Sequence, residues 1–254
     1  MIKRFLSVIL FPLVLAAAPL DAYKTFLEDG TYQGQDWSSL PRLPQSRYET
    51  FRFAFDHFEK NGGKVVVELG TSRSFNHGGL IGCNSNDTVH WKPNQPETWD
   101  WGAGFFTRMA AESLAHLSPA IHTVDLMADH INRCKIMTAD FSKIISYHVK
   151  DSVAFLKKCN FPNGIDLLYL DTGDMTPIEP TALLQLEEVK VIVERDLLAR
   201  DGLLLIDDVK NRTPKAYGEK SDLGKSKYSI PYLLQHGYEI LMDEYQVILR
   251  KRNF

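Results

Sequence analysis

The chain has 254 residues, of which 44% are hydrophobic and 24% charged, which is enough for one globular domain of generous size. It carries 29 basic and 32 acidic residues, a net charge of −3, and the lysines and arginines are dispersed. This balance gives no indication of nucleic-acid binding. The three cysteines lack the spacing of a zinc site and indicate free thiols, with at most one disulfide.

Residues 1–22 have the pattern of a signal peptide. Lys3 and Arg4 precede an apolar run over residues 5–18, which ends in the small residues 16–18, and Pro19 and Ala22 follow. A basic start, a short apolar stretch and a small-residue cleavage site are typical of secretory signals. The alternative is a membrane anchor, or a helix that lies on the membrane through residues 5–18. Either version predicts an exported or membrane-associated protein, although a location on the cytoplasmic face stays open.

Residues 23–47 are polar and rich in turn formers, which indicates a linker or an N-terminal cap. Residues 48–254 then alternate buried strands with amphipathic helices. This alternation predicts an α/β fold, a doubly wound, mainly parallel Rossmann-like sheet with a C-terminal antiparallel hairpin. The expected strands are 64–69, 120–125, 144–149, 165–170, 203–206, 238–242 and 246–250, and the main expected helices are 47–60, 105–117, 128–142, 152–159 and 180–200.

Residues 76–104 form an insert that is too long for an ordinary strand-to-helix connection. The insert carries Trp91, Trp99 and Trp101, which are costly to leave in water. We expect the tryptophans mainly to seal the insert against the core. A lid or a substrate-facing loop is the alternative.

The first predicted strand ends in a turn suited to a ligand. The sequence Val65–Ser74 places Glu68 just before Gly70, and Thr71 and Ser72 follow with hydroxyl and backbone N–H groups. Open α/β sheets bind nucleotides at such carboxyl ends. A buried strand that ends in an ordinary turn is the simpler alternative.

Carboxylates also follow the other parallel strands. Because the carboxyl ends of parallel strands share one edge, we expect these acids to meet there. Such an edge favours a ligand with hydroxyls, an amine, a positive charge or a bound metal, whereas the alternative is that each acid caps the following helix. The acids are Glu68, Asp125, Asp151, Asp171, Asp207 and Asp208.

Taken together, residues 48–252 resemble the class I S-adenosylmethionine-dependent methyltransferases. The resemblance depends on the order and spacing of Val65–Ser74, His122–Asp125, Lys150–Leu156, Asp166–Asp174 and Gly202–Asp208. The first turn lacks Gly-x-Gly-x-x-Gly, which argues against a nicotinamide-dependent dehydrogenase.

The resemblance implies that the cofactor is S-adenosylmethionine, a cation that an acidic rim favours. It implies that Asp125 holds the ribose hydroxyls and that Asp171 follows the cofactor toward the substrate. The methionine part would lie beside Glu68, Gly70, Thr71 and Ser72, and the adenine beside Asp151 and Ser152.

Asp171, Asp207 and Asp208 resemble the ligands of small-molecule O-methyltransferases that hold a divalent cation, which makes Mg²⁺ a candidate second cofactor. Helix capping is the alternative for these acids. Those relatives often have Lys or His as general base three residues after the first acid, where this chain has Asp174. Asp171 and Asp174 are therefore the candidate catalytic residues.

We accordingly expect methyl transfer from S-adenosylmethionine to a hydroxyl of a small molecule, with or without Mg²⁺. S-adenosylmethionine is a cytoplasmic metabolite, so the signal-like start favours an alternative, an exported non-catalytic binding protein on the same fold. A sugar-modifying or hydroxylating enzyme is a third candidate. The acceptor and the oligomeric state stay open.

Overall fold

The computed structural model describes residues 19–29, 46–75, 84–95, 99, 104–175, 177–209 and 223–252. These residues form a seven-stranded sheet. The strands are β1 (Val65–Leu69), β2 (Ala120–Asp125), β3 (Ile145–Val149), β4 (Ile165–Leu170), β5 (Leu198–Ile206), β6 (Tyr238–Asp243) and β7 (Val247–Lys251).

The strand order is β3-β2-β1-β4-β5-β7-β6. Strands β1 to β5 run parallel, β7 pairs antiparallel with β5, and β6 pairs antiparallel with β7. The predicted Rossmann-like sheet with an antiparallel C-terminal hairpin is therefore confirmed. The strand order reverses between β1 and β4, and this reversal is where open α/β sheets bind ligands.

Helices cover both faces of the sheet, and the central strands β1, β4 and β5 are buried on both sides over most of their length. Phe51, Phe106 and Tyr169 belong to the core on one face, and Phe155 and Val189 belong to the core on the other. The helices are α1 (Lys24–Asp29), α2 (Tyr48–Lys60), α3 (Phe106–Leu114), α4 (Ala128–Met137), α5 (Ser152–Lys158), α6 (Ile178–Glu194) and α7 (Ser229–Gln235).

The prediction of a helix over 180–200 is wrong at its C-terminal end. Helix α6 stops at Glu194, and Asp196 takes a left-handed conformation with φ 49°. Leu198 already pairs with Ile165, so β5 begins five residues before the predicted strand. The Asp201-Gly202 pair that indicated a helix stop lies inside β5, next to an irregularity in its pairing with β4.

The segment before the predicted domain packs against it. A short 3-10 helix (Pro19–Tyr23) and α1 bury Leu20, Tyr23 and Phe26 in the same core as α2 and α3. The predicted boundary at residue 22 thus falls within an ordered helix, whereas residues 1–18 lie outside the described part of the chain. Within the described part, no helix is long and apolar enough to cross a membrane.

Two tryptophans of the insert pack into the core, as expected for a segment sealed to the domain. Trp99 is 2% exposed and stacks on Phe105 and Trp91, with ring centroids 4.5 and 5.0 Å apart. Trp101 and several other residues of the insert lie outside the described residues, so a lid role for residues 76–104 stays a prediction. Cys134 and Cys159 are free thiols, as the sequence indicated, and Cys83 is not among the described residues.

Candidate functional site

The turn after β1 is fitted directly against the end of β4. Gly70 has φ +87°, and a Cβ atom at this position would lie 2.5 Å from the carbonyl oxygen of Asp171. Only glycine accepts both the left-handed backbone and this close approach. The turn therefore brings the ends of β1 and β4 together at the point where the strand order reverses.

Asp125 joins the end of β2 to the same turn. Its Oδ2 accepts a hydrogen bond from the backbone N of Thr71 at 3.0 Å and lies 3.1 Å from Nδ1 of His130. Its Oδ1 accepts from the backbone N of Met127 at 2.8 Å. The structure thus brings together Asp125, Gly70 and Thr71, as the sequence predicted.

The other residues predicted to bind the cofactor lie around this centre. Ser72 is buried and donates to the carbonyl oxygen of Gly104 at 2.7 Å, which ties the turn to the start of α3. Asp151 is exposed and accepts from the backbone N of Ala154 at 2.7 Å, so it caps α5, and Ser152 is buried behind it. The capping alternative therefore holds for Asp151, and this bond leaves its second carboxylate oxygen available.

The sequence analysis missed an apolar patch beside Asp125. Leu126, Met127 and Val149 are 66%, 53% and 55% exposed, although large apolar side chains are usually buried. Val149 pairs with Asp125 across β2 and β3, so the patch adjoins the acid. The signal in the sequence was that Leu126 and Met127 directly follow the second predicted strand. Two apolar residues at that place looked like further buried residues of the strand.

Glu68 is buried rather than facing the rim. Its Oε2 accepts hydrogen bonds from the hydroxyl of Thr107 on α3 and from that of Thr123 on β2, the latter at 2.6 Å. The side chain lies beneath α3 and is 1% exposed. Burial raises the pKa of Glu68 to about 7, although the threonine hydroxyls lower it. Glu68 thus has a structural role next to the turn, where it links β1 to α3 and β2 through hydrogen bonds.

This raised pKa predicts a pH-dependent gain in stability for Glu68→Gln. Because the folded-state pKa lies above the unfolded value, the stability that protonated Glu68 contributes is present below pH 4.5 and is lost as the pH rises through 7. We therefore expect the free energy of unfolding of Glu68→Gln, relative to that of wild type, to rise by about 3 kcal/mol between pH 4.5 and 8, as measured by urea unfolding. Glu187→Gln, at an exposed position on α6, is the control and should show no such growth.

Three carboxylates meet at the ends of β4 and β5. Asp171, Asp207 and Asp208, here called the acidic triad, each offer an oxygen within 4.8 Å of the others. Asp207 is fully buried, whereas the side chains of Asp171 and Asp208 are 22% and 20% exposed. The structure therefore brings together the residues that were predicted to bind a metal.

Arg47 holds the acidic triad from one side. Its Nε lies 3.1 Å from Oδ1 of Asp207, its Nη2 lies 3.1 Å from Oδ2 of the same residue, and its guanidinium stacks over the ring of Tyr245. The same Nη2 is 3.4 Å from Asp208. Arg47 is 5% exposed, so this is a buried, bidentate ion pair.

Lys225 holds the acidic triad from the other side. It lies on a short 3-10 helix (Gly224–Ser226) and is fully buried, with Nζ 2.7 Å from Oδ1 of Asp171 and 3.1 Å from Oδ2 of Asp208. The sequence analysis found neither Lys225 nor Arg47. The only signal was a Lys-rich loop after β5, and nothing in it distinguished one lysine from the others.

Burial and mutual charge interactions shift the pKa values of the acidic triad and of its two cations. Burial raises the pKa of Asp171, and the lowering effect of Lys225 does not offset it. Burial would also raise the pKa of Asp208, but Lys225 and Arg47 hold it below its usual value. Burial would lower the pKa values of Arg47 and Lys225, but the carboxylates raise both, so both side chains stay cations.

Asp174 lies apart from the acidic triad. Its carboxylate is 68% exposed and forms an ion pair with Arg73 from the turn after β1. This pair links the two turns that flank the reversal in strand order. The structure therefore does not bring Asp174 and Asp171 together as one catalytic pair.

The acidic triad does not fit a divalent cation as it stands. Mg²⁺ needs several free oxygen ligands in octahedral geometry, and most oxygens of the triad, all except Oδ2 of Asp171, already accept hydrogen bonds or ion pairs from this chain's own side chains. A metal that bridged Asp171 and Asp208 would displace Lys225 or lie directly against its ammonium group.

Comparison with known proteins identifies the fold. No protein-family model matches the sequence, and no curated protein matches it significantly. The structure is similar to the SAH-bound methyltransferase PaMTH1 of Podospora anserina, with a TM-score of 0.50 and 14% identity over 82% of this chain and 80% of that one.

Two other solved structures match with lower TM-scores. Fibrillarin of Aeropyrum pernix with natively bound S-adenosyl-L-methionine gives a TM-score of 0.44 and 16% identity over 74% of this chain and 66% of that one. A ribosomal protein L11 methylase of Lactobacillus delbrueckii subsp. bulgaricus gives 0.42 and 12% over 82% and 81%. The strand order and the likeness to PaMTH1 together establish a Rossmann-like methyltransferase fold for this chain.

Proposed function

We propose that this protein transfers the methyl group of S-adenosylmethionine to a hydroxyl group of a small molecule. The observation that carries the proposal is the junction of three strand ends, where the turn Gly70–Thr71 touches Asp171 on one side and Asp125 on the other. This junction lies at the reversal in strand order, the position where sheets of this kind bind ligands. A methyltransferase fold with polar groups at that position supports methyl transfer.

The edge of the sheet formed by Asp125, the Gly70 turn and Asp171, here called the rim, offers a complementary surface for each part of the cofactor. The carboxylate of Asp125 is a hydrogen-bond acceptor suited to ribose hydroxyls, and the exposed side chains of Leu126 and Val149 provide an apolar face for adenine. Asp151 has a free oxygen that can accept from the adenine amine. The cofactor is a sulfonium with an ammonium group, and Asp171 adds negative charge on the other side of the turn.

The acceptor hydroxyl would approach the exposed oxygens of the acidic triad. In our proposal it donates its proton to Asp171, and its oxygen attacks the methyl carbon in line as the carbon–sulfur bond breaks. The products are the methyl ether, S-adenosylhomocysteine and one proton, which Asp171 passes to solvent. We assign this role to Asp171 rather than Asp174, because Asp174 is exposed and already paired with Arg73.

Mass spectrometry of reaction mixtures tests the proposal. The protein is incubated with methyl-labelled S-adenosylmethionine and a panel of hydroxylated small molecules. We expect S-adenosylhomocysteine to accumulate in equal amount with a product that carries one additional labelled methyl group. Replacing Asp171 by Asn should lower the rate by about 100-fold or more, whereas the matched variant Asp174→Asn should have a much smaller effect.

Two other results would support the competing functions. Binding of S-adenosylmethionine without its consumption by any acceptor would favour the non-catalytic binding protein. A modified product that lacks the labelled methyl group would favour the sugar-modifying or hydroxylating enzyme.

A further inference from the structure

The backbone around Lys225 is fitted to the acidic triad. Gly224 has φ +51°, and a Cβ atom at this position would lie 2.2 Å from the carbonyl oxygen of Asp208. The 3-10 helix therefore packs directly on the chain at the end of β5, and the next residue directs its side chain into the cluster. Lys225 has no solvent exposure, so its ammonium group is a fixed part of the site.

Five of the six carboxylate oxygens of the acidic triad accept from a donor of this chain. For Asp207, Oδ1 accepts from Arg47 and Gln246, and Oδ2 accepts from Arg47 and from Tyr169 at 2.9 Å. For Asp171, Oδ1 accepts from Lys225. Its Oδ2 lies 3.5 Å from the hydroxyl of Tyr169, whose one proton is directed to Asp207, so Oδ2 keeps its lone pairs for the acceptor.

Asp208 is satisfied in the same way. Its Oδ1 accepts from the hydroxyl of Tyr245 and from Arg47, and its Oδ2 lies 3.1 Å from Nζ of Lys225. Two protein cations thus bridge three carboxylates, and Lys225 bridges the two that reach solvent. A divalent ion bound to Asp171 and Asp208 would have to occupy the position of this ammonium group or lie directly against it.

We propose that Lys225 is the resident cation of this site, and that its ammonium group takes the place between Asp171 and Asp208 that a divalent cation would otherwise occupy. Lys225 then positions both carboxylates with their free lone pairs toward the acceptor, and the site works without a metal ion. This inference concerns cation binding, so it can be tested whether or not the proposed methyl transfer is found.

Mn²⁺ is a suitable probe, because carboxylate sites that take Mg²⁺ also take Mn²⁺ and its paramagnetism reports binding directly. We expect wild type to bind Mn²⁺ no more tightly than about 1 mM, which is weaker than a built carboxylate site. Removing the ammonium group in Lys225→Met should free Asp171 and Asp208 and tighten Mn²⁺ binding at least about tenfold. The double variant Lys225→Met with Asp208→Asn should lose this gain.

Two lysine variants separate charge from folding. Lys225→Arg keeps a cation in the cluster and should bind Mn²⁺ as weakly as wild type. Lys227→Met, two residues away and paired with Glu179, should also behave as wild type. Circular dichroism establishes that each variant is folded.

The proposal is overturned if wild type binds Mn²⁺ at micromolar concentration and Asp208→Asn abolishes that binding. It is equally overturned if folded Lys225→Met binds Mn²⁺ no better than wild type. Should Lys225→Met fail to fold, the wild-type and Asp208→Asn titrations decide alone: weak binding that Asp208→Asn leaves unchanged supports the resident lysine, and tight binding that it removes contradicts it.

Discussion

Replacing Arg47 by methionine is expected to lower the free energy of unfolding by about 3–5 kcal/mol. The guanidinium makes a bidentate contact with Asp207, which is fully buried at the end of β5. Without Arg47 this carboxylate loses its bidentate cation, whereas the hydrogen bonds from Tyr169 and Gln246 remain. An unpaired charge in the interior is among the most destabilising single changes in a protein.

Urea unfolding at pH 7 measures this loss of stability, and two further variants test whether it comes from the ion pair between Arg47 and Asp207. Arg52→Met, on the exposed face of α2, removes a loose ion pair with Asp56 and should change stability by less than about 1 kcal/mol. Adding Asp207→Asn to Arg47→Met should recover a large part of the loss, because the amide needs no counter-charge. A loss below about 1 kcal/mol in Arg47→Met would show that this ion pair does not hold the site together.

Gly70→Ala is the second change with a large expected effect. A Cβ atom here meets the backbone of Asp171 at 2.5 Å, and backbone atoms cannot move aside as a flexible side chain can. We expect a loss of about 3 kcal/mol or more, since the ends of β1 and β4 must separate. The same displacement should weaken S-adenosylhomocysteine binding at least about tenfold.

Gly62→Ala is the matched control for this change. Gly62 also has a positive φ, +67°, but a Cβ atom there would have nothing within 4 Å. It should therefore show only the cost of a left-handed alanine, about 1–2 kcal/mol, and leave cofactor affinity unchanged. Equal stability losses in the two variants would mean that the close approach of the β1 turn to β4 does not constrain the site.

The parallel strands and their acids could be predicted because each is a local signal. Runs such as Val65–Leu69 and Ile165–Leu170 are short and largely apolar, with β-branched residues and flanking turns, which favours a buried strand. The geometry of parallel sheets then places Asp125 and Asp171 at one edge. The prediction needed no knowledge of distant contacts. It was correct for the sheet and for the junction at Gly70.

The cations of the acidic triad could not be predicted, because their partners are far away in sequence. Arg47 and Asp207 are 160 residues apart, and Lys225 lies 54 residues from Asp171. Arg47 stood at the edge of a polar segment and Lys225 in a polar loop, where charged residues are normally solvated. In the sequence no basic residue could be identified as the counter-charge of the three acids, which therefore resembled a metal site. In the folded chain Arg47 and Lys225 provide the positive charges.

The end of α6 was mispredicted for a different reason. Leu197 continues the apolar spacing of the helix, so local periodicity favours a longer helix. In the structure Leu198 instead pairs with Ile165 of β4 and extends the sheet. Tertiary pairing overrides the local preference here.

The central claim is that the rim formed by Asp125, the Gly70 turn and Asp171 binds S-adenosylmethionine, and calorimetric titration with S-adenosylhomocysteine tests it most directly. We predict one site per chain with a dissociation constant in the micromolar range, and a loss of about 100-fold in Asp125→Ala, which removes the proposed ribose acceptor. Asp129→Ala, on the exposed side of α4, should bind as wild type. No heat of binding up to millimolar ligand, or equal affinity in wild type and Asp125→Ala, would contradict the account.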